Sequence, residues 1–333
     1  MTLLTVRDLQ VEFSTAQGPV HAVDRASFSV PSGVLVGLVG ESGCGKTTLG
    51  RALIGVMAKG ARITGGSINF DGRELTKLDE PERRAMRWRD IAFIPQSAMN
   101  SLDPVYRIGT QLKHILIERG GLGREAAHRR SKELFEMIGI DIKRLADYPH
   151  QFSGGMRQRV AIAMALALEP HLIIADEPVT ALDVIVQRQI LDVLRSLRDR
   201  LGISVVLVTH DISVVAYVCD RMAVMYAGQV VEEGPVSAVL ARPNHPYTMG
   251  LANAFPDLHG AIEELIPIEG NPPDLHRPPD GCRFAPRCPF VKTPCIGQVD
   301  LRSLTGGRSV ACVRSHEAAA MRGMARKAST WRH

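Results

Sequence analysis

Residues 40–47 read Gly-Glu-Ser-Gly-Cys-Gly-Lys-Thr, a match to G-x-x-x-x-G-K-S/T. In that pattern glycines let successive backbone N–H groups turn inward around phosphates while the lysine reaches the outer ones. Gly40, Ser42, Gly43, Cys44, Gly45, Lys46, Thr47 and Thr48 are therefore candidate ligands of a nucleoside triphosphate, with the Thr47 hydroxyl placed to take Mg²⁺. Further along, Asp176-Glu177 closes the apolar run Leu172-Ile173-Ile174-Ala175. One such carboxylate can hold Mg²⁺ through water, and the next can polarise an attacking water. Taken alone, an Asp-Glu pair after an apolar run more often starts a solvated helix; the upstream phosphate loop reverses that reading. Ser153-Gly154-Gly155 opens a helical stretch and forms a second anion site, because unpaired amides and the helix dipole face outward at a helix start.

The elements that must hold these residues follow from periodicity. Residues 34–39 are a short apolar strand and residues 47–56 a helix, so the loop lies where a phosphate meets a helix N-terminus. Strand character also marks residues 3–13, 20–30, 67–70 and 91–94. From residue 97 to 169 the pattern turns helical, with Leu134, Phe135 and Ile138 on one stripe of a segment beginning near Arg124, which reads as an inserted helical subdomain. Strands return at 172–175 and 203–208 around a helical 185–200, the alternation of parallel βα units. The fold class is α/β, a phosphate-loop nucleotide-binding domain with a mixed sheet. After Arg242 the composition shifts: Pro243, Pro246, Pro256, Pro267, Pro272, Pro273, Pro278 and Pro279 accumulate, and Cys282, Cys288, Cys295 and Cys312 cluster. The expected division is a domain over 1–242, a small cysteine-rich extension over 243–320 and a basic, solvated tail over 321–333.

Across the 333 residues, 45% hydrophobic and 23% charged composition is ordinary for a globular protein, and a net charge of +5 gives no reason to expect nucleic acid as a partner. The longest apolar run, 160–168, is far too short to cross a bilayer, and the first residues alternate like a strand instead of a signal segment. A cytoplasmic location is expected, where thiols stay free, metal-bound or catalytic.

With these residues in view the chain resembles the ATP-binding subunit of ABC transporters over nearly its first 240 residues. Phe13 lies where the family stacks an aromatic on adenine, although a buried strand-edge Phe is the plainer reading. Gln96 resembles the glutamine that senses Mg²⁺ and water and meets the membrane subunits. Phe152-Ser153-Gly154-Gly155-Met156 resembles the family signature, with Phe for its Leu and Met for its usual Gln. Ala181-Leu182-Asp183 resembles the loop coupling two sites, and His210 the histidine that bonds the γ-phosphate. The resemblance implies a head-to-tail pair of ATPases in which each signature covers the other's nucleotide.

Asn244-His245-Pro246-Tyr247-Thr248 and the cysteine cluster resemble the carboxyl-terminal extension of oligopeptide and dipeptide importer ATPases, a class that includes nickel importers. Residues 152–159 look more like the first than the second of the two non-identical ATPase subunits found there. Implied partners are a second homologous ATPase, two membrane permeases and an external solute-binding protein, with the chain peripheral at the cytoplasmic face of the membrane. The rivals are a soluble ABC ATPase, which would carry tandem cassettes or a coiled-coil insertion, and an iron- or redox-sensing ATPase. The cysteine spacing, C-x5-C-x6-C-x16-C, matches neither tight zinc pairs nor a ferredoxin run. The resemblance favours a 4Fe–4S cluster on Cys282, Cys288, Cys295 and Cys312, with zinc the alternative and free thiols the plain reading.

Overall fold

The computed structural model describes residues 1–253 and 266–331. Pro256 and the last two residues of the basic tail, Arg332 and His333, lie outside the described residues. In chain order the strands and helices are β1 (Thr2–Thr15), β2 (Gly18–Pro31), β3 (Leu35–Val39), α1 (Lys46–Leu53), β4 (Ala61–Phe70), β5 (Arg73–Glu74), α2 (Glu80–Met86) and β6 (Ile91–Ile94). They continue with α3 (Ile108–His114), α4 (Arg124–Met137), α5 (Gly154–Ala165), β7 (Leu172–Asp176), α6 (Val184–Leu201), β8 (Ser204–Thr209) and α7 (Ile212–Val218). The last are β9 (Arg221–Tyr226), β10 (Gln229–Pro235), α8 (Val236–Ala241), α9 (Pro246–Asn253), β11 (Arg302–Leu304), β12 (Arg308–Val310) and α10 (Ala318–Ala325).

Two compact units emerge. The first comprises residues 1–31, 36–77 and 209–333, and the second residues 32–35 and 78–208. In the first, β2-β1-β4-β5 form an antiparallel sheet. Strands β11-β12-β10-β9-β3 lie side by side in a second sheet, with β3 parallel to β9. Its core gathers Val39, Tyr226, Tyr247, Phe284, Met321 and Trp331. In the second unit β8-β7-β6 run parallel in register, with Ile173 opposite both Ala92 and Val205. All five residues of β7 are buried, as expected of a parallel strand covered on both faces. Residues 97–169 hold α3, α4 and α5 and, among the described residues, no strand.

Composition changes at Arg242, yet the residues beyond it share a unit with the phosphate loop. The reason is pairing at long sequence range: β12 adds to β10 through Glu232 and Glu233, and Arg283, almost fully buried, donates to Asp24 at 2.6 Å. The solvated tail is corrected as well. Met321, Ala325 and Trp331 are buried, and the Trp331 Nε1–H donates to Ala325 O at 2.7 Å. A basic sequence of this length hides one apolar stripe, and that stripe packs against Gly250 of α9, where a Cβ would lie 2.8 Å from the Trp331 ring.

Candidate nucleotide site and cysteine cavity

Strand β3, buried throughout, delivers the chain into the glycine loop, and α1 leaves it. Two glycines are dictated by space. A Cβ on Gly40 would sit 2.0 Å from Met225 O, and one on Gly45, at φ +99°, 2.1 Å from Ala22 O. The Lys46 side chain is buried in the loop, and its ammonium donates to Gly40 O and Glu41 O, each at 2.8 Å, and to Cys44 Sγ at 3.6 Å. Ser42 and Gly43 stand exposed on the loop, and Thr47 and Thr48 are half-buried on the first turn of α1. Cys44 is buried, which pushes its thiol up. Phe13 is half-buried on β1, opposite Val20 and Ala61. His210 is exposed directly after β8.

In the second unit β7 ends on Asp176, only 1% exposed. Glu177 follows at φ +47°, a left-handed backbone that costs a residue with a Cβ about 1 kcal/mol or more and needs support from its surroundings. The support is present: its N–H donates to Val208 O at 2.8 Å, and its carboxylate accepts from Gln96 Nε2 and Thr180 Oγ1, both at 2.9 Å. Two residues singled out separately in the sequence, Gln96 and Glu177, are thus brought into direct contact. The arrangement fixes a carboxylate at the end of a buried strand, where it can take a proton from water.

Ser153 is the N-cap of α5, its hydroxyl accepting from Met156 N–H at 3.3 Å. Gly154 begins that helix, and Gly155 has no room for a side chain, since a Cβ would lie 2.4 Å from Val186 Cγ1. Arg144 accounts for both departures from the signature: its guanidinium lies 4.5 Å over the Phe152 ring and 3.3 Å from Met156 Sδ. Asp183 caps α6 by accepting from Val186 N–H at 3.0 Å.

Comparison with known proteins bears on these features. The ABC transporter family profile matches residues 23–180, and the profile of the oligopeptide/dipeptide transporter C-terminal region matches residues 231–295. The chain is 45% identical over 317 residues, 95% of its length and 94% of the relative's, to the oligopeptide transport ATP-binding protein OppD of Escherichia coli. It belongs to the ABC transporter family, as an ATPase. Identity is also 45% to the dipeptide transport ATP-binding protein DppD of Bacillus subtilis, over 88% of each chain. Among solved structures, the dimeric ATP-binding cassette MJ0796 in a post-hydrolysis state, bound to ADP and Pi, superposes with a TM-score of 0.63 at 28% identity, covering 70% of this chain and 98% of that one.

The four cysteines of the C-terminal region come together around one cavity. Cys282, Cys288, Cys295 and Cys312 all line one small cavity with His245, Phe284 and Phe290, and none is in a disulfide. Among the described residues, however, no three His, Cys, Asp or Glu side chains converge closely enough to hold a metal ion. The structure thus shows, among its described residues, four thiols sharing one cavity and no assembled 4Fe–4S or zinc ligand set. The donor chemistry still suits a thiophilic group. Burial, with Cys282 nearby, pushes the Cys288 thiol up to about 12 and the Cys312 thiol to about 11. His245 is fully buried, its Nδ1 accepts from Tyr247 N–H at 3.1 Å, and its Nε2 finds no hydrogen-bond partner among the described residues. A buried N–H without an acceptor is costly.

Sequence reading missed three residues of this region. Glu41 occupies a position the loop pattern leaves open, Tyr247 was only part of a family motif, and Arg287 carried no signal at all. The structure joins them, as described below.

Proposed function

We propose that this ATPase powers uptake of di- or oligopeptides, or related solutes, from the cytoplasmic face of the membrane. It would work beside a second homologous ATPase, two permeases and an external solute-binding protein. The observation that carries the reading is the end-to-end similarity to peptide-transport ATPases, which extends through the C-terminal region beyond the cassette. Among the described residues no helix is long and apolar enough to cross a membrane.

In this reading Lys46 and the amides of residues 43–47 neutralise the β- and γ-phosphates. Phe13 stacks on adenine, and Gly40, Ser42, Cys44 and Thr48 complete the loop. Thr47, Asp176 and Gln96 would hold Mg²⁺, which when bound would offset charge on the phosphate oxygens. Glu177 polarises the attacking water while Gln96 orients it, and His210 bonds the γ-phosphate. Ser153, Gly154 and Gly155 serve the nucleotide of the partner ATPase, and Asp183 links the two sites. Reconstituted with its membrane and binding-protein partners in liposomes, the chain is expected to accumulate labelled peptide only with Mg²⁺ and ATP. ATP hydrolysis indifferent to peptide and binding protein, without accumulation, would remove the transport assignment.

The four thiols are proposed to hold a structural 4Fe–4S cluster, with zinc as the alternative. Support comes from their shared cavity and from the buried Nε2 of His245 beside them. Anaerobically purified protein is expected to be brown and to contain about four irons with sulfide per chain. Changing Cys288 to Ser should bleach it and make the chain beyond residue 270 more sensitive to protease, while ATP still binds. One zinc per chain would move the site to the alternative, and no metal under anaerobic handling would refute both.

A further inference from the structure

Glu41 is a carboxylate inside a loop whose task is to receive an anion. Left alone it would repel the incoming phosphates, since like charges a few ångströms apart disfavour each other. The structure shows what offsets it. Arg287, only 7% exposed, donates from Nη1 to both Glu41 carboxylate oxygens, at 3.1 and 2.8 Å. The guanidinium's other nitrogens are held by carbonyls, Nε donating to Glu269 O at 2.9 Å and Nη2 to Ile268 O at 3.1 Å, while Nη1 also donates to the Tyr226 hydroxyl at 3.2 Å. It also lies over the Tyr226 and Phe284 rings, at 5.7 and 5.9 Å. A second tie reaches the loop backbone: Glu41 N–H donates to the fully buried hydroxyl of Tyr247 at 2.9 Å. Both ties come from residues beyond 242, and Arg287 is the immediate neighbour of Cys288 in the thiol cavity.

We propose that the C-terminal extension is a positioning element of the nucleotide site: Arg287 neutralises Glu41 and, with Tyr247, sets the phosphate loop for ATP. The extension thereby controls ATP affinity. Arg287 and Tyr247 reach the loop at Glu41, so they act through it, and the proposal rests on reading residues 40–47 as the ATP site.

Equilibrium binding of a fluorescent ATP analogue to the full chain tests it. Arg287→Ala should weaken binding by about tenfold, within the coupling seen between neighbouring charged groups. Adding Glu41→Gln should restore affinity to within about threefold of the parent, because the unpaired charge is gone. Glu41→Gln alone, a change at a half-exposed residue that should not disturb folding, should bind at least as well as the parent. Parental affinity for Arg287→Ala would overturn the proposal, and so would a loss that Glu41→Gln fails to restore, since that marks general damage. If Arg287→Ala does not fold, Glu41→Gln decides: binding about tenfold weaker than the parent would mean that the carboxylate helps ATP, and the proposal falls. Lys46→Ala separates the underlying reading, because undiminished binding there would remove the phosphate loop itself as the ATP site.

Discussion

Glu177→Gln is expected to keep ATP bound while slowing its hydrolysis by at least about a hundredfold, the usual cost of removing a general base. The variant is close to isosteric, and its surroundings make it informative. Glu177 sits at φ +47° with its N–H on Val208 O, and its carboxylate accepts from Gln96 and Thr180. A glutamine can keep one of those bonds through its own oxygen, so the left-handed backbone and the end of β7 should persist. What disappears is the capacity to take a proton. ATP-bound closed dimers should then accumulate, visible as an earlier gel-filtration peak with ATP than with ADP, while single-turnover phosphate release measures the chemistry. Turnover within about threefold of the parent would take Glu177 out of the base's role.

The parts of the fold that read well from sequence are those whose physics is local. A buried parallel strand such as β7 is a continuous apolar run, and a phosphate loop is a fixed spacing of residues that leave no room for side chains, as Gly40 and Gly45 show. Strands β9 and β10 were missed. Strand β10 carries Glu232 and Glu233 side by side, which looks solvent-facing, yet both are buried. Glu232 is satisfied by Arg308 and by the amides of Asn244 and His245, partners that lie outside any local window. The same limitation hid the brace on the phosphate loop, since Glu41 and Arg287 are 246 residues apart in the chain. It also hid the packing of the tail, because the apolar stripe of Met321, Ala325 and Trp331 is diluted by basic neighbours. The thiol spacing announced a cluster of cysteines but could not say how closely the four sulfurs approach, which depends on the loops between them.

Ser153→Arg is expected to leave ATP binding at the Lys46 loop close to the parent's while lowering hydrolysis in the assembled transporter by about a hundredfold. Loss of one donor to a transition-state oxyanion costs on that order. The argument begins with the local geometry. Ser153 caps α5, its hydroxyl turned onto Met156 N–H, and Gly155 is pressed against Val186 of α6 with no space for a side chain. The start of α5 therefore presents small groups and amides, a surface fit for an anion approaching from outside. In a head-to-tail pair that anion is the γ-phosphate held by the other ATPase, so a bulky guanidinium here should obstruct closure over the partner's nucleotide and spare the chain's own loop. Losing the cap also loosens α5 by about 1 kcal/mol, so Ser153→Ala serves as the control for helix stability. Photo-crosslinking of labelled ATP in the mixed complex locates the defect: it should fall on the partner subunit. A loss of labelling confined to this chain's own phosphate loop would contradict the head-to-tail arrangement.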